Sequence, residues 1–356
     1  MNKKIIGQFF ILAVAIVLIG IFQNTLDPFR LRILNLCGIY VIFAVSMNLI
    51  NGFTGQLALG HAGFIAVGAY TYTLLVMKPE TKEINFFLKP IAPFLANIHA
   101  PFIVAIIVAG IMAAFIGFLI SAPALRLRGD YLAIATLGFG EIIRIVFTNT
   151  QSITNGSLGL KGIPSPQSFL FFTGRSSFIW WIWITAIITV IINLLLVNSS
   201  YGRALKAIRE DEIAAQAMGI NLFRHKMIAM VASSFFAGVG GALLASLMST
   251  IDPLMFRFLL TFNILLIVVI GGMGSITGSV ISAIGVTISM EALRVLDQGI
   301  FGLPALPGMR MVVFAFILMV VVLFYPRGLM GYNELSFERI TSFFSSRKNK
   351  KEGANL

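Results

Sequence analysis

Deep in the apolar run "GDYLAIATLGFGEIIRIV", Glu141 and Arg144 stand three residues apart. On a helix that spacing puts carboxylate and guanidinium on one face, where they can pair. An ionisable side chain near a bilayer centre costs roughly 2.5–3.5 kcal/mol on insertion scales, so neither group is expected to face lipid. The pair can be an internal structural ion pair, a contact along a solute pathway, or a proton or ion site. Glu291 and Arg294 repeat the spacing in "SMEALRVL", nearer the end of their run, where snorkelling to the interface suffices.

The stretch "NGFTGQLALGHAGFIAVGAY" carries a second kind of chemistry. Gly52, Gly55, Gly60, Gly63 and Gly68 interrupt an oily segment together with Gln56 and His61. Glycine is unfavourable in a helix interior, and irregular backbone at membrane depth is tolerated only when buried in protein or facing a watery cavity. Transporters use broken helices to aim backbone N–H and C=O groups at a polar solute. The plainer alternative is a tight turn followed by small-residue packing between helices. For His61 alone, a hydrogen-bonded packing role stands beside solute contact.

A third feature is "SSYGRALKAIREDEIAAQAMGINLFRHK". Leu205, Ile208 and residues 212–218 keep an apolar stripe among Arg203, Lys206, Arg209, Glu210 and Asp211, and Gly219 sits where a C′ glycine would end the helix. Such a helix can lie in the membrane interface or dock into a partner's groove.

Several chemistries are missing. The chain has no G-x-x-x-x-G-K-[ST] phosphate loop, no H-E-x-x-H and no G-x-S-x-G. His61, His99 and His225 are isolated, and Cys37 is the single cysteine, so neither a metal site nor an intrachain disulfide is expected. An intramembrane enzyme would need a constellation that these residues do not contain.

The elements that must position these groups are membrane helices. Of 356 residues 58% are hydrophobic and only 11% charged, whereas a soluble domain is about a quarter charged. Apolar runs recur along the whole chain. About ten spans are expected, near 5–22, 32–50, 57–77, 102–120, 130–149, 178–197, 227–249, 258–272, 276–296 and 310–326. The first reads as an uncleaved helix rather than a signal peptide, since no small-residue cleavage site follows it. The net charge of +12 is spread over short loops and the tail, which speaks for membrane topology and not for nucleic acid. Lys and Arg are denser on the N-terminal side of these spans, placing both termini in the cytoplasm. Residues 198–226 then form the largest inner loop, and 332–356 read as a basic, disordered tail near anionic lipid.

Taken together, "NGFTGQLALGHAGFIAVGAY", "GDYLAIATLGFGEIIR", "GRALKAIREDEIAAQAMGIN", "GGMGSITGS" and "YPRGLMG" resemble the LivM-type permease subunits of bacterial ABC importers for branched-chain amino acids. The likeness runs over about residues 46–331. It implies an all-α permease domain over 1–331 and a bacterial inner-membrane location. It also implies a function in moving leucine, isoleucine or valine inward by alternating access; urea or short amides, carried by sister families, are the alternative solutes. An uncoupled secondary transporter or channel is the other reading, with the amphipathic loop against it. The implied partners are a second homologous permease, two ATP-binding-cassette ATPases and an extracytoplasmic solute-binding protein. ATP is used by the partners, and no cofactor or metal is bound by this chain. The expected solute pathway comprises Gly52, Gly55, Gln56, Gly60, His61, Gly63, Thr136, Gly138, Glu141 and Arg144. The resemblance makes 198–226 the ATPase-coupling loop, with Gly202, Arg203, Arg209, Glu210, Asp211, Ala214, Ala215 and Gly219 as its contacts. The family's Glu-Ala-Ala-x-x-x-Gly pattern is met by Ala214, Ala215 and Gly219, while Ile213 stands at the Glu position and Glu212 falls one residue early. The Ile-x-Leu-Pro ending of that pattern is missing.

Overall fold

A computed structural model describes Gly20, Gln23 and residues 27–127, 129–166, 168–169, 172–173, 177–297, 308–325 and 328–331. The expected span at 5–22 and the tail 332–356 lie outside the described residues, apart from Gly20. The principal helices are α1 (Pro28–Asn48), α2 (His61–Val76), α3 (Phe102–Ala124), α4 (Asp130–Asn149), α5 (Phe178–Asn198) and α6 (Ser200–Glu210). They continue with α7 (Glu212–Ala217), α8 (Leu222–Met248), α9 (Phe258–Gly271), α10 (Ile276–Ala292) and α11 (Met309–Phe324). Among the described residues, five helical stretches are long and apolar enough to cross a membrane: Pro28–Phe53, α3, α4, α5 and α8. The helices α2, α9 and α10 are apolar but shorter. The chain is an all-α membrane protein.

Two interruptions account for the short helices. After α1 the backbone widens into a π-turn, Leu49–Phe53, and residues 55–60 are not helical at all. The third expected span therefore starts at His61 and not at Leu57: Gly55 takes φ +68, a left-handed conformation that breaks the helix. The second interruption, Gly272–Ser275, separates α9 from α10 and contains two positive-φ glycines, Gly272 and Gly274. The span expected at 276–296 stops at Ala292.

Helix α8 runs against α1, α2 and α3. Small residues set the approach: a Cβ on Gly68 would lie 2.1 Å from the Gly238 carbonyl oxygen, and one on Gly238 would lie 2.4 Å from Ala113 Cβ. Lipid offers no hydrophobic gain for helix pairing, so this close van der Waals packing is what joins the three helices.

The end of the molecule remote from 198–226 is more structured than its Pro- and Gly-containing loops imply. Leu160–Lys161 pairs antiparallel with Thr250–Ile251, and Lys161 N–H donates to Asn85 Oδ1 at 2.8 Å. Lys82 Nζ, on the short helix Pro79–Asn85, donates to the carbonyls of Leu95 (2.8 Å) and Ile98 (2.7 Å). Burial lowers the pKa of this ammonium, and those carbonyls are its partners.

Candidate functional site

The break between α1 and α2 lies where several distant segments meet. Asn48, fully buried on the last turn of α1, donates through Nδ2 to the Ser275 carbonyl and to Ser279 Oγ, both at 2.8 Å. Its Oδ1 accepts from Gly274 N–H at 2.9 Å. One amide thus joins the first break to the second. A Cβ on Gly52 would collide with both Asn48 Oδ1 and Gly274 N, so only glycine fits there. Leu329 and Met330 N–H groups donate to the carbonyls of Ile270 (2.7 Å) and Gly271 (3.2 Å), adding the "GLMG" segment, residues 328–331, to the same knot.

Inside the break, Gln56 N–H donates to the Ile50 carbonyl at 3.3 Å, and Asn51 Oδ1 accepts from Ala58 N–H at 3.3 Å. Thr54 Oγ1 also donates to Ile50 O. Gln56 is buried, yet neither atom of its side-chain amide has a partner among the described residues, and Asn51 Nδ2 has none either. Unpaired buried amides are costly, by about 1–3 kcal/mol each.

The N-terminus of α2 has no side-chain cap of its own and is satisfied from neighbouring helices. Leu59 N–H donates to Thr136 Oγ1 and Ala62 N–H to Thr261 Oγ1, each at 2.9 Å. His61 is buried with Nε2 3.1 Å from Ser46 Oγ. Gly60 and Gly63 lie against α4: a Cβ on Gly60 would be 2.3 Å from the Thr136 carbonyl oxygen, and one on Gly63 3.0 Å from Gly140 Cα. Of the expected pathway residues, the structure therefore brings Gly60, His61, Gly63 and Thr136 together as a packed, hydrogen-bonded junction. Gly138 stands apart, with open space where its Cβ would be.

Glu141 and Arg144 do pair, Arg144 Nε donating to Glu141 Oε2 at 2.6 Å. They sit on the thinly covered helix α4, with the Arg144 side chain 21% and the Glu141 side chain 32% exposed in this chain. In a membrane that face must meet water or another protein, because lipid would leave the charges unsolvated.

The 198–226 segment is two helices, not one. Asp211 is extended (φ −156) and caps α7, its Oδ1 accepting from Ile213 N–H (2.7 Å) and Ala214 N–H (2.9 Å). An aspartate between two helical runs is a strong N-cap, and this one ends α6 as it starts α7. Gly219, at φ +81, closes α7: its N–H donates to Gln216 O at 3.0 Å, and Ile220 N–H donates to Ala215 O at 3.1 Å, the pattern of a Schellman cap. Lys226 Nζ holds Glu212 at 2.6 Å and ties α7 to the root of α8. Gly202 and Ala215 face inward, whereas Arg203, Glu210 and Ala214 are exposed. Beside Ala214 stand Ile213, 76% exposed, and Met218, 83% exposed.

Arg209 faces the break. Its Nη1 donates to the Gly52 carbonyl at 3.1 Å, and its Nε and Nη2 meet Glu210 Oε1 at 3.3 and 2.8 Å. The brace residues Asn48, Thr261, Ser275 and Ser279 are absent from the sequence-based site. Their signal was available: Asn48, Thr261 and Ser279 are polar residues inside apolar runs, where polar side chains bond across helices, and Ser275 sits in the glycine-rich break itself.

The described residues thus form a polytopic helical membrane protein with a broken, glycine-lined helix and an amphipathic helix, α6, seated on the break, an arrangement suited to a transport permease. The particular family follows from comparison: the model described as "Branched-chain amino acid transport system / permease component" matches residues 29–324, and the chain belongs to that family. It is 36% identical over 280 residues to the high-affinity branched-chain amino acid transport system permease protein LivM of Escherichia coli (strain K12), covering 72% of this chain and 61% of that protein. The chain thus spans about three fifths of that relative's length, and the same holds for LivM of Salmonella typhimurium at 35% identity, with 61% covered. A probable LivM of Methanocaldococcus jannaschii is 27% identical over 322 residues, covering 82% of this chain and 90% of that protein. No solved structure matches the chain.

Proposed function

We propose that the chain is a transmembrane subunit of an ATP-driven importer that moves branched-chain amino acids into a bacterial cell by alternating access. The observation that carries this reading is the seating of α6 directly on the α1–α2 break, in a chain whose residues 29–324 match that permease family. Partner ATPases would dock on the helix pair through the exposed Ile213 and Met218. A second homologous permease would cover the exposed face of α4, and relatives named LivM and LivH support such a pair. A solute-binding protein would deliver the amino acid at the knitted loops of the opposite end. In this arrangement the termini are cytoplasmic, the membrane is the inner one, and 1–331 is the permease domain ahead of a basic tail. The solute would pass the face bearing Gly138, Glu141 and Arg144 and leave beside Gln56 and Gly55, without a cofactor bound by this chain.

The direct test is reconstitution. Purified alone, the protein is expected to hydrolyse no ATP. Co-expressed with its genomic neighbours, it is expected to copurify with two ATPases and a second permease, and to carry leucine in competition with isoleucine and valine. Uptake of urea or short amides untouched by leucine would replace the solute; full activity from the single chain would remove the importer reading.

A mutant cycle on the ion pair separates pathway from scaffold. Arg144→Leu leaves Glu141 uncompensated, and breaking one partner of a buried pair costs about 3–5 kcal/mol, an upper bound here because both side chains are partly exposed. The single variants are therefore expected to lose uptake. If the pair only neutralises itself, Glu141→Leu/Arg144→Leu regains uptake, since an apolar pair packs at least as well. If the pair meets the solute, the double variant inserts normally and stays inactive, and that is the expected result.

A further inference from the structure

We infer that Arg209 is the positioning residue through which the cytoplasmic helix pair moves the substrate gate, by its hydrogen bond to the Gly52 carbonyl; this rests on the importer reading above. Arg209 sits at the end of α6 with its side chain 19% exposed, and the carbonyl it engages belongs to the π-turn, where the α1 ladder has already opened. The seat is close on both sides. A Cβ on Gly55 would lie 2.8 Å from Arg209 Cγ and 3.4 Å from Arg209 Cα, so the break touches the α6 backbone as well as the guanidinium. One turn earlier, Lys206 Nζ stands 5.9 Å over the Phe53 ring, a second contact from the same face of α6. Leu205 and Ile208 are buried, which fixes α6 as a lever rather than a loose arm.

From Gly52 the connection continues inward. Asn48 and Gly274 enclose Gly52, and Asn48 grips Ser275 and Ser279 at the second break. A displacement of α6 therefore reaches both interruptions of the bundle through one backbone carbonyl. Because the acceptor is backbone, only the donor side of this joint can be removed by substitution.

The test uses the complete complex in proteoliposomes, with leucine as the probe. The resemblance counts Arg209 among the ATPase contacts, but its guanidinium is turned inward onto the Gly52 carbonyl. Arg209→Ala is therefore expected to retain its ATPase subunits and hydrolyse ATP near the parental rate, while uptake falls about tenfold, the scale of one lost charged hydrogen bond. The ATP hydrolysed per solute moved rises accordingly. Arg209→Lys, which still offers a cationic donor, is expected to recover part of the uptake. A second readout follows the break itself: Leu57 is exposed and the native Cys37 is buried, so Leu57→Cys reports the segment by thiol labelling. ATP should change that labelling in the parent and leave it constant with Arg209→Ala. Parental coupling in Arg209→Ala, or loss of the ATPases from it, overturns the inference while the importer reading stands. A parent complex that recruits no ATPase overturns both.

Discussion

Gly68→Val is expected to prevent accumulation of folded protein. The Cβ would sit 2.1 Å from the Gly238 carbonyl oxygen and 2.3 Å from Gly238 Cα, and both obstacles are backbone. Neither can swing aside as a side chain would. Moving α8 away carries Gly238 off Ala113 and opens the α3 contact as well. Overpacking a core site costs about 1–3 kcal/mol when neighbours can adjust, and here they are helix backbones, so the upper end or more applies. The measurement is the monodisperse fraction and thermal midpoint after detergent extraction. Gly285 provides the contrast, with open space around its Cβ position; Gly285→Ala should leave the midpoint unchanged or slightly raised through helix propensity. A parental midpoint for Gly68→Val would mean that α2 and α8 do not cross at these glycines.

The largest expected loss of assembly comes from Ile213→Lys with Met218→Lys. Both side chains stand out from α7 with more than three quarters of their surface exposed, and neither supports the fold beneath. Exposed substitutions of this kind usually change stability by about 0.5 kcal/mol or less, and with the loop on the cytoplasmic side, as proposed, added lysines agree with the positive-inside rule. Insertion should survive. A docked interface, in contrast, gains about 1.5–3 kcal/mol from each large apolar side chain it buries, and it would now meet two ammonium groups instead. Copurifying ATPases and solute uptake are therefore expected to disappear together. Reversing Asp211 would be a poorer probe, because its carboxylate caps α7 and its loss would weaken that helix itself. If the double lysine variant keeps its ATPases, the contact lies on the charged side of α6, at Arg203 and Glu210.

The sequence by itself determined the class of this protein. Hydropathy is a property of short windows, so runs of apolar residues announced helices along the chain wherever the residues are described, and the missing phosphate loop directed attention to partner ATPases. Glycine spacing pointed to an interruption from Asn51 for the same reason, since helix-breaking is local, although the sequence had the helix resume at Leu57 and not at His61. The pairing of Glu141 with Arg144 was legible too, because three residues of helix place them side by side.

Other features had no local signature. Which strand of the break receives Arg209 depends on two residues 157 positions apart, and the Asn48 brace to Gly274 spans 226. In the sequence, Gly52 and Arg209 belonged to separate lists, pathway and coupling; the tertiary structure makes them one contact. The start of α2 at His61 was likewise decided by Thr136 and Thr261, whose hydroxyls satisfy N–H groups that nothing nearby in sequence could reach. Asp211 read only as a docking charge; that its carboxylate also accepts from the Ile213 and Ala214 N–H groups and caps α7 came from the structure. The physical reason is common to all of these: helices follow from composition within a few turns, whereas the partner of a buried polar group is chosen by how the helices pack.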